Sequence, residues 1–185
     1  MGGRLELIIG CMFSQKTTRM IERIRKHRFI NKETLILTHG SDTRYGMNKI
    51  ISHDLVHVDA YPMTTLMDII DDKNDMYYKI LNADSVFIEE SQFFDDIGEF
   101  VRYLVDTLGK YVCVCGLDGD YKRMPFANVV NLIPFADDVI KCYALCQECR
   151  DGTRAAFTRR KNASSCRLEV GADDIYEPVC REHFV

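Results

Sequence analysis

The chain has 185 residues, 46% of them hydrophobic and 28% charged, with a formal net charge of −4. That balance suits one globular core with a small appended subdomain and excludes disorder, collagen and coiled coil as descriptions of the whole. No apolar run approaches the ~20 residues of a membrane-spanning helix, and the acidic total gives no whole-molecule attraction to nucleic acid.

Arg4 to Ile9 alternates and then turns wholly apolar, which predicts a strand entering a sheet interior. Gly10 to Thr17 is a polar turn. From Thr17 to about Ile30, Met20, Ile21 and Ile24 share a face with His27 at helical spacing. Thr34 to Thr38 reads as a second strand, Gly40 to Ser52 as a polar loop, and Val56 to Val58 as a short strand. Mixed helix-like segments follow as far as Ala83. Ser85 to Glu89 is a strand ending in a turn-like Glu-Ser-Gln stretch. Ile97, Phe100, Val101, Leu104, Val105 and Leu108 repeat as one helix face, stopped at Gly109. Tyr111 to Gly116 is a buried strand, broken at Asp118-Gly119.

Strands alternating with helices predict an α/β fold with a mostly parallel sheet flanked by helices. The pattern changes after Cys142, so two units are expected, residues 1–142 and 143–185. Met1-Gly-Gly-Arg leads straight into an alternating apolar stretch, so no secretory leader is expected. Cys113, Cys115 and Cys142 lie in apolar stretches, where cysteine acts as a small buried hydrophobe. A reducing, cytoplasmic location is the expectation.

Two motifs carry chemistry in the larger unit. Gly10-Cys-Met-Phe-Ser-Gln-Lys16-Thr17 stands between a strand and a helix, the context of a P-loop, G-x-x-x-x-G-K-[ST]. Backbone N–H groups there face phosphate oxygens, Lys16 neutralises the β and γ phosphates, and the Thr17 hydroxyl ligates Mg²⁺. Gln15 occupies the place of the second Gly, where a left-handed backbone costs a non-Gly residue about 1–2 kcal/mol. Downstream, Val86-Phe-Ile-Glu89-Glu90 ends a strand in two acids. Glu89 is placed to support Mg²⁺ and Glu90 to accept a proton from an attacking hydroxyl. Together the motifs indicate phosphoryl transfer or nucleotide hydrolysis.

A third motif lies in the smaller unit. Cys146-Gln-Glu-Cys149 and Cys180-Arg-Glu-His183 supply three thiolates and one imidazole, a closed tetrahedral set for structural zinc. Cys11 and Cys166 remain without a role.

In this combination the chain resembles the type II thymidine kinases, the cellular and poxvirus-type family with a zinc-bound lasso domain. The likeness runs nearly end to end. It includes the P-loop, Asp42-Thr-Arg44-Tyr45, Ser52-His-Asp54, Glu89-Glu-Ser-Gln-Phe-Phe94 and Gly116 through Phe126. Asn131-Leu-Ile-Pro134, the two knuckles and Val170-Gly171 through Tyr176 complete it.

The resemblance implies transfer of the ATP γ-phosphoryl group to the 5′-hydroxyl of deoxythymidine. By position, Glu90 is the general base, with Lys16 and Arg44 offsetting charge on the transferring group. The nucleotide site is Gly10, Cys11, Met12, Phe13, Ser14, Gln15, Lys16 and Thr17, with Asp42, Thr43, Arg44, Glu89, Glu90, Ser91 and Gln92. Met12, Phe93, Leu117, Tyr121, Phe126 and Tyr176 map to the nucleoside pocket, and Arg167, Leu168, Glu169, Val170 and Gly171 to lasso backbone at the thymine edge. Without the family pattern, Phe93, Leu117 and Phe126 also read as ordinary core. The implied cofactors are ATP as donor, Mg²⁺ through Thr17 and Glu89, and structural Zn²⁺. The implied assembly is a homo-oligomer, commonly a tetramer, with no membrane or nucleic-acid partner.

Three departures stand out: Gln15 for Gly, Cys11 for the usual Pro and Glu89 for the usual Asp. They keep a second reading open, a catalytically weak homologue that binds nucleotide or regulates an active subunit. A third, a zinc-ribbon nucleic-acid binder, rests on the basic stretch Arg154 to Lys161 with Phe157 inside it.

Overall fold

The computed structural model describes residues 2–41, 49–51, 56–71, 74–162 and 174–184. Strand β1 (Arg4–Gly10) is buried along nearly its whole length, as a central parallel strand must be when both sheet faces are covered. It feeds α1 (Lys16–Phe29), whose last turn carries Lys26, His27 and Arg28 and whose first turn has no acid. The positive end of the α1 dipole is therefore not offset by an acid of its own first turn. Then come β2 (Thr34–His39), a hairpin of β3 (Lys49–Ile51) and β4 (His57–Asp59), β5 (Tyr61–Met63) and α2 (Asp75–Asn82). β6 (Ser85–Ile88), α3 (Ile97–Arg102) and β7 (Tyr111–Gly116) follow, α3 being extended by a π-helical turn over Tyr103–Thr107. A short α4 (Ala127–Val130) and β8 (Asp138–Cys142) complete the body.

The six-stranded sheet has the order β5-β2-β6-β7-β1-β8, with every neighbouring pair parallel. Strand periodicity sorts its side chains between two cores. Leu7, Ile9, Leu37, Val86, Ile88, Val112 and Val114 point towards α3, meeting Ile97, Phe100 and Leu104. Ile8, Ile36, Phe87, Cys113 and Cys115 point towards α1, meeting Met20, Ile21 and Ile24. Cys113, Cys115 and Cys142 are buried, as expected of cysteines acting as small hydrophobes.

The expected strands and long helices appear close to their expected bounds. Three differences matter: β5 lies where helix-like segments were read, β3 lies within the expected polar loop, and the third is at the other edge of the sheet. β8 was not anticipated as a strand.

Beyond Cys142 the chain forms a small lobe. In it β9 (Ala144–Leu145) pairs with β10 (Arg154–Ala155), and β11 (Phe157–Arg160) with β12 (Tyr176–Val179), both antiparallel. The lobe's core contains Ala144, Cys146, Ala155, Val179 and Cys180, and also Cys11 from the loop after β1, with Phe13 packed against it. Among the described residues, no helix is long and apolar enough to cross a membrane.

Candidate active site and metal centre

The loop between β1 and α1 is tightly curled. Gly10 has φ 150°, and a Cβ there would stand 2.4 Å from the Cys142 carbonyl oxygen, so only glycine fits. Phe13 and Gln15 both take the left-handed conformation, at φ 62° and 61°. The Cys11 carbonyl accepts hydrogen bonds from the Ser14 hydroxyl and from Lys16 Nζ, each at 2.7 Å. Lys16 is thus folded back over the loop at the N-terminus of α1.

Gln15 adopts the conformation expected for the missing glycine, while its side chain is exposed and makes no cap hydrogen bond to the helix. The backbone strain is therefore present. Cys11 and Phe13 face the small lobe, with Cys11 Sγ 3.4 Å from the Ala155 carbonyl oxygen. The Met12 amide donates to Thr158 Oγ1 at 3.0 Å, which ties the loop to β11.

Across the crevice, β6 delivers Glu89. Thr17 Oγ1 donates to Glu89 Oε1 at 2.6 Å, bringing together the two groups assigned to Mg²⁺. Burial, and then the neighbouring Glu90 charge, push the Glu89 carboxyl up to about 7, against the opposing effects of the Cys115 thiol, the Thr17 hydroxyl and the Lys16 charge. Glu89 Oε2 is buried without a hydrogen-bond partner among the described residues. A buried carboxylate oxygen left over beside a threonine hydroxyl fits a cation-linked position.

Glu90 follows in a left-handed conformation, φ 54° and ψ 39°. Gln92 Nε2 donates to Glu90 Oε2, while Gln92 Oε1 accepts from the Leu117 amide at 3.0 Å. Gln92 therefore orients the acid and links the ends of β6 and β7. Ser91 is fully buried against Gly116, where a Cβ would lie 2.1 Å from its hydroxyl. Asn128 Nδ2 donates to the carbonyls of Gln92 at 3.0 Å and Phe94 at 2.9 Å. The turn that carries Glu90 is thus braced from β7 and α4, and the Ser91 and Gln92 side chains serve that bracing.

The aromatic residues assigned to a nucleoside pocket come from several elements. Phe93 lies half-buried on the turn after β6, with Leu117 half-buried beyond β7. Tyr121 stands on a loop closed by Asp120, whose Oδ1 accepts from the amides of Lys122 and Met124, both at 2.9 Å. The Arg160 guanidinium lies 3.9 Å from the Tyr121 ring centroid and 5.1 Å from that of Tyr176, and it donates to the Tyr176 hydroxyl. Phe126 is different: it is 5% exposed and belongs to the main core. Asp42, Thr43, Arg44, Tyr45, the Ser52–Asp54 motif, Cys166 and Arg167, Leu168, Glu169, Val170 and Gly171 lie outside the described residues.

Sequence reading missed Thr158, Asn128 and Arg160. Two of these belong to the small lobe's basic stretch, on which the nucleic-acid reading rested. In the structure, Arg159 bonds Glu177, Glu148 and the His183 carbonyl, and Arg160 covers two tyrosines. The feature that favoured nucleic-acid binding is therefore largely committed within the molecule.

Cys146, Cys149, Cys180 and His183 converge, with their ligand atoms within 4.8 Å of one another. Cys149 and Cys180 sulfurs lie 3.8 Å apart, and each is 3.3 Å from His183 Nδ1. Zn–S bonds of about 2.3 Å in a tetrahedron place sulfurs about 3.8 Å apart, so the set fits zinc. The Cys180 amide donates to Cys146 Sγ at 3.3 Å, a bond that steadies a thiolate.

The family model for thymidine kinase matches residues 3–184. The chain is 38% identical to thymidine kinase a of Arabidopsis thaliana over 184 residues, covering 99% of this chain and 75% of the plant protein. It is 36% identical to the raccoon poxvirus thymidine kinase, covering 100% of this chain and 98% of the viral one. The identity with the thymidine kinase of vaccinia virus strain Ankara is 35%, with the same coverage. With a phosphate loop, a braced pair of acids and a Cys₃His cluster on one frame, the chain belongs to the thymidine kinase family.

Proposed function

We propose that the protein transfers the γ-phosphoryl group of ATP to the 5′-hydroxyl of deoxythymidine, giving dTMP. The observation that carries this reading is the Thr17–Glu89 contact, 2.6 Å across the crevice, with Glu90 held next in line by Gln92. The amides of the loop and the first turn of α1 bind phosphate, and Lys16 neutralises it. Thr17 and Glu89 are the residues that would hold Mg²⁺, which when bound offsets charge on the phosphates. Glu90 takes the proton from the sugar hydroxyl as its oxygen attacks phosphorus, and ADP leaves with the bridging electron pair. Arg44 completes the charge balance at the transferring group. The base lies among Met12, Phe93, Leu117, Tyr121 and Tyr176, with its edge read by the backbone of residues 167–171.

The catalytically weak reading is not favoured. Gln15 is exposed and takes the left-handed backbone of the missing glycine, and Glu89 reaches Thr17 despite its extra methylene. By resemblance we place an α/β nucleotide-binding domain in residues 1–142 and a zinc lobe in 143–185. A cytoplasmic homo-oligomer, a tetramer by family likeness, is part of the same proposal.

The test is turnover of labelled deoxythymidine by the purified protein with ATP and Mg²⁺. Glu90→Gln should lower kcat by about 10²–10⁴-fold, the usual contribution of a general base. No turnover by the unmodified protein, or full turnover by Glu90→Gln, would overturn the assignment.

A further inference from the structure

His39 closes β2 at the crevice edge of the sheet, beside the turn that carries Glu90. Its half-buried ring lies 5.3 Å from the Phe93 ring, tilted by 31°, and meets Phe94 edge-on at 4.8 Å. Phe94 is fully buried in the core, so the imidazole braces Phe93 against a fixed wall. On its other side, Nδ1 accepts a hydrogen bond from the Ser41 amide at 3.1 Å. An accepting Nδ1 carries no proton, which makes this the neutral ring with its hydrogen on Nε2.

We propose that His39 is a positioning residue of the nucleoside pocket, holding the Phe93 ring and coupling it to the chain that leaves β2 through the Ser41 amide. This rests on the reading of Phe93 as a wall of the deoxythymidine pocket.

Charge around the ring comes from Glu90 after β6 and from Asp95 and Asp96 ahead of α3, all of which favour the imidazolium, and the Thr64 backbone acts in the same sense. Burial outweighs them and holds the imidazole below its usual range. A folded-state value below the unfolded one means that the Ser41 bond is intact at neutral pH. It is lost only as pH falls through that lowered value, because an imidazolium has no acceptor nitrogen.

Two substitutions in the full-length enzyme separate the two contacts. His39→Asn keeps an acceptor for an amide two residues on, as in an Asx turn, but removes the ring. His39→Phe keeps the ring and removes the acceptor. His39→Asn should raise the KM for thymidine about three- to tenfold, the scale of a lost ring pair, while kcat and the KM for ATP move by less than about twofold. His39→Phe should hold the thymidine KM within about twofold of wild type at pH 7.5 and remove the part of its rise in acid that comes from protonating His39. In the wild-type protein, saturating thymidine should shift the His39 ring-proton resonance, a readout that needs no variant.

Three results would overturn the proposal: an unchanged thymidine KM in His39→Asn, an equal loss in kcat and both KM values, or an unmoved resonance. A wild-type enzyme inert towards thymidine would instead bring down the functional reading underneath, an outcome distinct from turnover indifferent to His39.

Discussion

Replacing Thr158 by valine tests how far the phosphate loop depends on the metal lobe. Thr158 is 5% exposed, and its Oγ1 is the acceptor for the Met12 amide at 3.0 Å. Valine matches threonine in shape but offers no acceptor, so the amide is left unpaired in a partly buried place. Such a group costs about 1–3 kcal/mol, which corresponds to a roughly 5- to 150-fold change in an equilibrium that needs the loop in place. Titration calorimetry with MgATP should therefore show affinity weakened within that range. Thr158→Ser, which restores a hydroxyl, should recover most of it. A melting temperature lowered in both variants, with nucleotide affinity within twofold of wild type, would refute the reasoning and leave Thr158 a packing residue.

Gln15→Gly relieves a left-handed strain of about 1–2 kcal/mol but adds unfolded-state entropy of about 0.4–1 kcal/mol. Thermal unfolding should show a net gain between zero and about 1.6 kcal/mol, and a loss would mean that the Gln15 side chain stabilises the loop. Cys149→Ser removes one of four ligands, so metal analysis should find zinc depleted and limited proteolysis should find the residues beyond Cys142 exposed. Unchanged zinc content would refute the ligand set.

Because the Glu89 carboxyl sits near 7 rather than 4.5, the folded protein holds a proton there that the unfolded chain releases. This contribution to stability is greatest at and below about pH 4.5 and is lost as pH rises towards 7. Glu89→Gln should therefore melt above the wild-type enzyme at pH 8, where the buried charge is fully developed. Binding of MgATP near pH 6.5 should release a proton, detectable as a buffer-dependent heat. A buffer-independent heat would show Glu89 already ionised.

The phosphate loop and the metal knuckles were legible because each is a short motif in a required local context. A glycine-led turn ends a buried strand, and paired ligands stand with two residues between them. The α1 and α3 faces were legible for a similar reason, since helical periodicity needs only one segment. The sheet edges were not. β5 is three residues long with Pro62 at its centre, which is tolerable on an edge but gives no strand signal. β8 alternates with exposed Val139 and Lys141, where a central strand would show a continuous apolar run.

The supports of the site were hidden by distance along the chain. Thr158 meets Met12 across 146 positions and Asn128 meets Gln92 across 36, so neither pairing leaves a local pattern. The reversed reading of the basic stretch has the same cause: Glu148 and Glu177, which neutralise Arg159, stand on either side of it and well away in sequence.

Cys11 and Phe13 belong to the lobe's interior although they reside in the loop that grips phosphate. The two regions consequently do not form separable modules. Cutting after Cys142 would strip apolar cover from the underside of the grip, and a foreign lobe grafted there would have to reproduce its contours. Chelation, by the same logic, would slacken a hinge-free clamp from behind, so loss of the ion would be felt first by the triphosphate.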